Sequence, residues 1–285
     1  MTQKRDNGSL PTESKQIALL GLGAMGYAVA LRLAGTGHEL TVWNRTPRKA
    51  SGLQEQGIVL ARTAAECVRN ADFVLLMLTD DEAVIEIAGA IASGVTDGAT
   101  LVDLSTVHPE TTTKIRDLVP ANVSVVDAPV MGSADAARNG TLGLLVGATE
   151  QDFERVKPVL SALGNTALVG GPGAGAAAKV AVMSAIIPGI VAVGEALAVG
   201  RALGLDEDTL KTVFAHSPVA ALTQRAFAEQ ANYATRLAAK DLCLAHRTEQ
   251  TPVVARTMET LQATPRGDDD LGRVARHLPI PVPVR

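Results

Sequence analysis

Short apolar runs recur through the first half of the chain, each closed by glycine or a polar turn and followed by a stretch with helical spacing. A run of this kind reads as a strand buried on both faces of a parallel sheet. The first is Gln16–Gly21, followed by a glycine turn and a helix over Tyr27–Ala34 that stops at Gly35. Glu39–Trp43 is the second strand. Further strands are expected at Asp72–Leu78, Thr100–Thr106, Val123–Val130, Leu142–Val146 and Ala167–Val169, with a helix start at His108-Pro109-Glu110. Repeated β–α alternation predicts an α/β fold with a doubly wound sheet, whose ligand lies at the carboxyl ends of the strands.

The pattern changes at Gly171. From there to Leu205 the chain is almost wholly apolar, and between Ala174 and Gly200 its only charges are Lys179 and Glu195. As one helix this segment reaches roughly 45 Å. Being apolar on every face, it is expected to be buried all round. Fifteen residues separate its two charges, against the roughly 20 that a bilayer requires, so a membrane span is not expected. The segment reads as a central helix between two domains that takes one lysine into a dry place. Helices alone follow to about Leu278, and a Pro-rich tail begins at Pro279. The expected division is a disordered tail over 1–15, a dinucleotide-binding domain over 16–171 and an all-α domain over 172–285.

Composition narrows the partners. A net charge of −4 gives no reason to expect nucleic acid or an anionic membrane. Aromatic content of 2% leaves Ala, Val, Leu and Ile to build the cores. Cys67 and Cys243 show neither metal spacing nor a disulfide pattern, so no metal is expected and a reduced cytoplasm fits. Residues 1–14 are polar and lack the apolar stretch of a secretory signal.

The candidate chemistry starts at Gly21-Leu22-Gly23-Ala24-Met25-Gly26, a GxGxxG at the first turn of a βαβ unit. In such a turn one glycine makes the bend, one admits a pyrophosphate, and one lets helix and strand pack closely. The bland alternative is a structural glycine turn. An NAD site places Asp or Glu after the second strand to hold the ribose. This chain has Asn44, Arg45 and Thr46 there, then Arg48 and Lys49, which favours NADP over a merely solvated basic turn. The tip Leu78-Thr79-Asp80 is expected over the cofactor.

These motifs together resemble the β-hydroxyacid dehydrogenase family, which includes 3-hydroxyisobutyrate dehydrogenases and tartronate semialdehyde reductases. The resemblance covers nearly the whole chain after Lys15. It rests on GLGAMG at Gly21, DLSTVHP from Asp103, DAPVMGSADAARNGTL from Asp127, GAGAAAK ending at Lys179, EALAVG at Glu195 and KDLCLA from Lys240. It implies that Lys179 is the catalytic lysine, in agreement with the lone lysine of the dry helix. It further implies that Leu78, Thr79 and Thr106 face the nicotinamide half and that Lys240 approaches the cofactor. The alternative for Lys240-Asp241 is a surface ion pair, worth little.

Two departures stand out. Family members usually read Ser-Gly-Gly after DAPV, where this chain has Met131-Gly132-Ser133, and usually carry asparagine one turn after the lysine, where this chain has Met183. Positions four apart share a helix face, so Met183 should line the lysine's pocket. Two polar groups are thus replaced by adaptable thioethers. Ser133 is the one residue nearby that could restore a hydroxyl.

The reading is an NADPH-dependent reductase of a carbonyl-type substrate, with Lys179 as proton donor and a substrate less anionic than the family's small hydroxy acids. The resemblance, and a helix apolar on all faces beside a small helical domain, also imply a homodimer or higher oligomer. The rivals are an imine reductase of the same architecture, which usually lacks the lysine, and a non-catalytic NADP-binding module.

Overall fold

The computed structural model describes residues 14–228, 233–249, 251–265 and 267–277. Most of the expected tail and the whole Pro-rich end lie outside the described residues. Ser14 and Lys15 do not: Ser14 Oγ donates to Gly37 O at 3.1 Å and Lys15 N to His38 Nδ1 at 3.3 Å.

The strands are β1 (Gln16–Leu20), β2 (Glu39–Trp43), β3 (Val59–Leu60), β4 (Phe73–Leu76), β5 (Thr100–Asp103), β6 (Ser124–Asp127), β7 (Val130–Met131), β8 (Leu142–Gly147) and β9 (Gly164–Gly170). Helices α1 (Ala24–Ala34), α2 (Ala64–Val68), α3 (Asp81–Ile91), α4 (Pro109–Leu118), α5 (Ala134–Asn139) and α6 (Glu150–Ser161) alternate with them. The sheet runs in the order β3-β2-β1-β4-β5-β6-β8-β7, with β9 beside β8. From β3 to β6 all pairs are parallel; β8 runs antiparallel to β6 and β7. The expected strand Val123–Val130 is therefore two strands. Pro129 has no N–H to give a ladder, and the chain turns there.

Side chains alternate across this sheet with period two. Ile17 and Leu19 enter one core with residues of α1, α5 and α6; Ala18 and Leu20 enter the other with residues of α2, α3 and α4. Both faces of β1 are thus dry, as a parallel sheet covered on two sides requires. Removing Leu19, which is fully buried, by Leu19→Ala would cost about 2–5 kcal/mol.

The remaining elements are all helical: α7 (Ala174–Ala202), α8 (Glu207–Ala215), α9 (Ala220–Ala226), α10 (Thr235–His246), α11 (Pro252–Gln262) and α12 (Leu271–Ala275). By length and composition α7 is apolar enough to cross a membrane, but it is packed inside protein, against β8, α9, α10, α11 and α12. One chain does not bury it all round, as expected of a helix this long beside so small a helical domain. Within one chain Ala177, Ala181, Val182, Ala185, Ala192, Ala196 and Val199 remain exposed along it, because the small helices that follow wrap only part of its circumference.

Candidate active site

The carboxyl ends of β1 and β2 and the start of α1 form the first part of the site. Gly21 has φ +104, in the left-handed region, and a Cβ there or at Gly26 would overlap backbone oxygens of Met77 or Gly21. Those two glycines answer to the protein's own packing. Gly23 does not. It precedes α1 without any side-chain cap, and a Cβ built there meets nothing within 4 Å. The first-turn amides of α1 therefore face open space at the positive end of the helix dipole, which suits a pyrophosphate. Leu22, Ala24 and Met25 complete this turn, with Gly23 and Ala24 exposed.

At the tip of β2, Asn44 is structural as well as well placed. Its Oδ1 accepts from Leu22 N at 2.8 Å and its Nδ2 donates to Thr46 O at 3.0 Å, fixing the glycine turn against the basic segment. Arg45, Arg48 and Lys49 are exposed. Across the sheet, Leu78 N donates to Ser105 Oγ at 2.9 Å, and Ser105 N donates to Asp103 Oδ1 at 2.9 Å. Leu78, Thr79 and Thr106 are thereby held on neighbouring loops at the strand ends. Burial pushes the Asp103 carboxyl up to about 6, against the hydrogen bonds from Ser105.

Lys179 lies in the second turn of α7 with 8% of its surface exposed. Its Nζ donates to Val130 O at 2.7 Å and to Met131 Sδ at 3.4 Å. Burial pulls its pKa down from 10.5 to about 8; the charge of Asp241 opposes this and that of Lys240 adds to it. An ammonium has three donors, so two acceptors on β7 leave one for a reacting atom.

Lys240 is not on a surface ion pair. Its Nζ donates to Thr106 O at 2.6 Å and stands 2.6 Å from Asp241 Oδ1, and the Asp241 side chain is 5% exposed. Asp241 also accepts a very short hydrogen bond from the Tyr233 hydroxyl, whose pKa burial and that carboxylate both raise. Just beyond the C-terminal end of α10, Thr248 Oγ1 lies 3.2 Å from His108 Nε2 at the start of α4.

The three residues after DAPV divide their roles. Met131 ends on the lysine; Gly132 has φ +137; Ser133 caps α5, its Oγ accepting from Ala136 N at 3.2 Å. Met183 is buried in the apolar cluster of the helical part, against which Met131 packs. Thus Lys179, Met131, Val130 and the Lys240–Asp241 pair share one region. Asp241 was named in the sequence only as half of a surface ion pair, and Tyr233 and Ser105 were not singled out. A buried carboxylate beside a lysine in KDL was the available signal for the first; the other two left none.

Residues 16–171 match the sequence profile of a family described as the NAD binding domain of 6-phosphogluconate dehydrogenase. The chain is 36% identical over 208 residues to a 3-hydroxyisobutyrate dehydrogenase of Pseudomonas aeruginosa, covering 70% of this chain and 69% of that one. It is 37% identical over 196 residues to a 2-hydroxy-3-oxopropionate reductase of Escherichia coli, covering 67% of each. Its fold superposes on a Mycobacterium tuberculosis 3-hydroxyisobutyrate dehydrogenase solved with L-serine, with a TM-score of 0.84, 27% identity and coverage of 94% of this chain and 100% of that one.

Proposed function

The chain belongs to the β-hydroxyacid dehydrogenase family of NAD(P)-dependent oxidoreductases, and on that premise we propose an NADPH-dependent reductase in which Lys179 protonates the heteroatom of a carbonyl-type substrate. The observation that carries this reading is the buried ammonium of Lys179, with its pKa brought down to about 8 and one donor left over. A donor with a pKa near the working pH is the efficient one. The cofactor, when bound, supplies hydride to the substrate carbon. Lys179 delivers the matching proton and is left as the neutral amine, which takes a proton back from solvent before the next turnover. Asp241 keeps the ammonium from losing its proton too early.

The choice of NADPH rests on Asn44, Arg45 and Thr46 where an NAD site would carry a carboxylate. The substrate class rests on Met131 and Met183. A carboxylate sunk against two thioethers, without the usual serine and asparagine, would cost several kcal/mol. Ser133 is a weak replacement, because its hydroxyl oxygen already caps α5. The pocket therefore suits a ketone or aldehyde with less charge.

The exposed Ala and Val face of α7 supports a homodimer in which a second copy covers it; a purely monomeric species in sedimentation at micromolar concentration would refute that. The free thiols of Cys67 and Cys243 suit a reducing, cytoplasmic setting.

NADPH oxidation is measured with succinic semialdehyde, butanal and 1-pyrroline, for wild type and for Lys179→Ala. Butanal is expected to exceed succinic semialdehyde in kcat/KM, and Lys179→Ala to lose on the order of 10²–10⁴ in kcat with NADPH affinity retained. Preference for the acid overturns the substrate class, preference for 1-pyrroline points to imine reduction, and no turnover of any compound points to a non-catalytic binding module. Near-normal turnover by Lys179→Ala removes the lysine from the reaction.

A further inference from the structure

We infer that Asp127 is the positioning residue for Lys179: it anchors the start of α7 to the sheet so that the ammonium is held at the reacting position. This rests on Lys179 being the proton donor. Asp127 ends β6 and is 1% exposed. Its Oδ1 accepts from Gly173 N at 2.6 Å and its Oδ2 from Ala176 N at 2.7 Å. A helix leaves its first amides without partners of its own, and residues 171–178 contain only Gly, Pro and Ala. No side chain at that end of α7 can cap it, so the partner has to come from the sheet.

Three residues beyond Asp127, Val130 O receives the lysine's Nζ. One short segment of the sheet therefore holds α7 twice, by the amides of its first turn and by the tip of its lysine. A rigid turn gripped at two points leaves the ammonium little freedom to drift, and positional error of about 1 Å can cost 10² in rate. Gly147 closes the contact from β8. A Cβ there would stand 2.5 Å and 2.6 Å from the two carboxylate oxygens and 2.7 Å from Gly175 N. The carboxylate and the helix thus meet where only glycine fits.

The test compares Asp127→Asn, Gly147→Ala and Lys179→Ala, and each of the first two combined with the third. The substrate is whichever of succinic semialdehyde and butanal wild type turns over faster. Gly147→Ala keeps the carboxylate and breaks the contact by wedging it. Both single variants should lower kcat on the order of 10²-fold with NADPH affinity unchanged. The alkaline limb of kcat for reduction should move up from near 8, because a lysine admitted to water regains its ordinary pKa. Added to Lys179→Ala, neither should lower kcat much further, since residues acting through one group are not additive. Near-normal turnover by Lys179→Ala defeats the donor assignment and this inference with it. If Lys179→Ala is inactive while Asp127→Asn keeps its kcat, loses it equally at every pH, or multiplies the loss of Lys179→Ala, the positioning role alone falls. Should Asp127→Asn not fold, Gly147→Ala decides on the same readouts. Failure of both to fold assigns the contact to folding and overturns the inference.

Discussion

Two helices of this chain begin on glycine-rich turns and use their first amides in opposite ways. The turn before α1 reads Gly21-Leu-Gly-Ala-Met-Gly26, and the one before α7 reads Gly171-Pro-Gly-Ala-Gly175. Neither helix has a side-chain cap from its own start. At α1 the space in front of Gly23 is open. At α7 the same kind of space is filled by the carboxylate of Asp127. The physics is one: unpaired N–H groups and the positive end of a dipole attract an anion. What differs is whether the fold supplies the anion or leaves the place to a ligand.

The sharpest way to break the distinction is to give α1 what α7 already has. Gly23→Asp should place a carboxylate on the first turn, because the backbone there is extended, with φ −66 and ψ −176, and accepts a side chain. NADPH affinity should fall by about 10²-fold or more as the new charge meets the phosphates. The apo protein should gain about 1 kcal/mol from the added cap. Fluorescence titration and thermal melting read both, and unaltered affinity would mean that α1 does not hold the phosphates.

Arg45→Ala sharpens the same end. A bidentate arginine–phosphate contact contributes about 1.5–3 kcal/mol, so NADPH should weaken by roughly tenfold to a hundredfold and NADH hardly at all. Equal loss for the two cofactors would sink the assignment of NADPH.

The smallest effect belongs to α7, which carries a cation near its positive end. Lys179 titrates near 8 instead of 10.5 in the folded chain, so the unfolded state holds the proton more tightly between those values. The penalty is complete below about 8 and fades as pH rises toward 10.5. Lys179→Met removes up to about 3 kcal/mol of it and leaves Val130 O without a donor, at about 1 kcal/mol. A net gain of about 2 kcal/mol at pH 7, shrinking to nothing near pH 10 and turning into a loss of about 1 kcal/mol above that, is expected in chemical denaturation. A gain that does not vary with pH would show that the buried charge is not its source.

The sheet was legible because its signal is local. The run Gln16–Leu20, the glycine turn and Glu39–Trp43 lie within thirty residues, and both faces of β1 are apolar. The two-residue strand β3 and the five-residue helix α2 are too short for periodicity to declare. Lys179 was legible as a lone charge in an apolar helix, but its partners were not. Val130 offers a backbone oxygen, which every residue has, and Asp127 meets Gly173 across 46 positions. Ser133 looked like a substrate group, yet its oxygen serves a helix cap that only the turn at Gly132 brings about. The exposed side of α7 was legible too, because the five short helices that follow make too small a domain to cover a helix apolar on every face.

The seam between sheet and helices has a consequence for how such a protein can change over generations. Lys179 grips Val130 O, Lys240 grips Thr106 O, and Asp127 is gripped by Gly173 N and Ala176 N. In each contact one partner is main chain, which substitution does not replace. Drift at Val130, Thr106 or Ala176 leaves the contact atom in place, so only one side of each grip is exposed to mutation. The side chains of Met131 and Met183 can be exchanged while the main-chain grip of Val130 O on the lysine stays. A lineage built on this seam can alter the space beside Lys179 without first rebuilding how it holds the lysine.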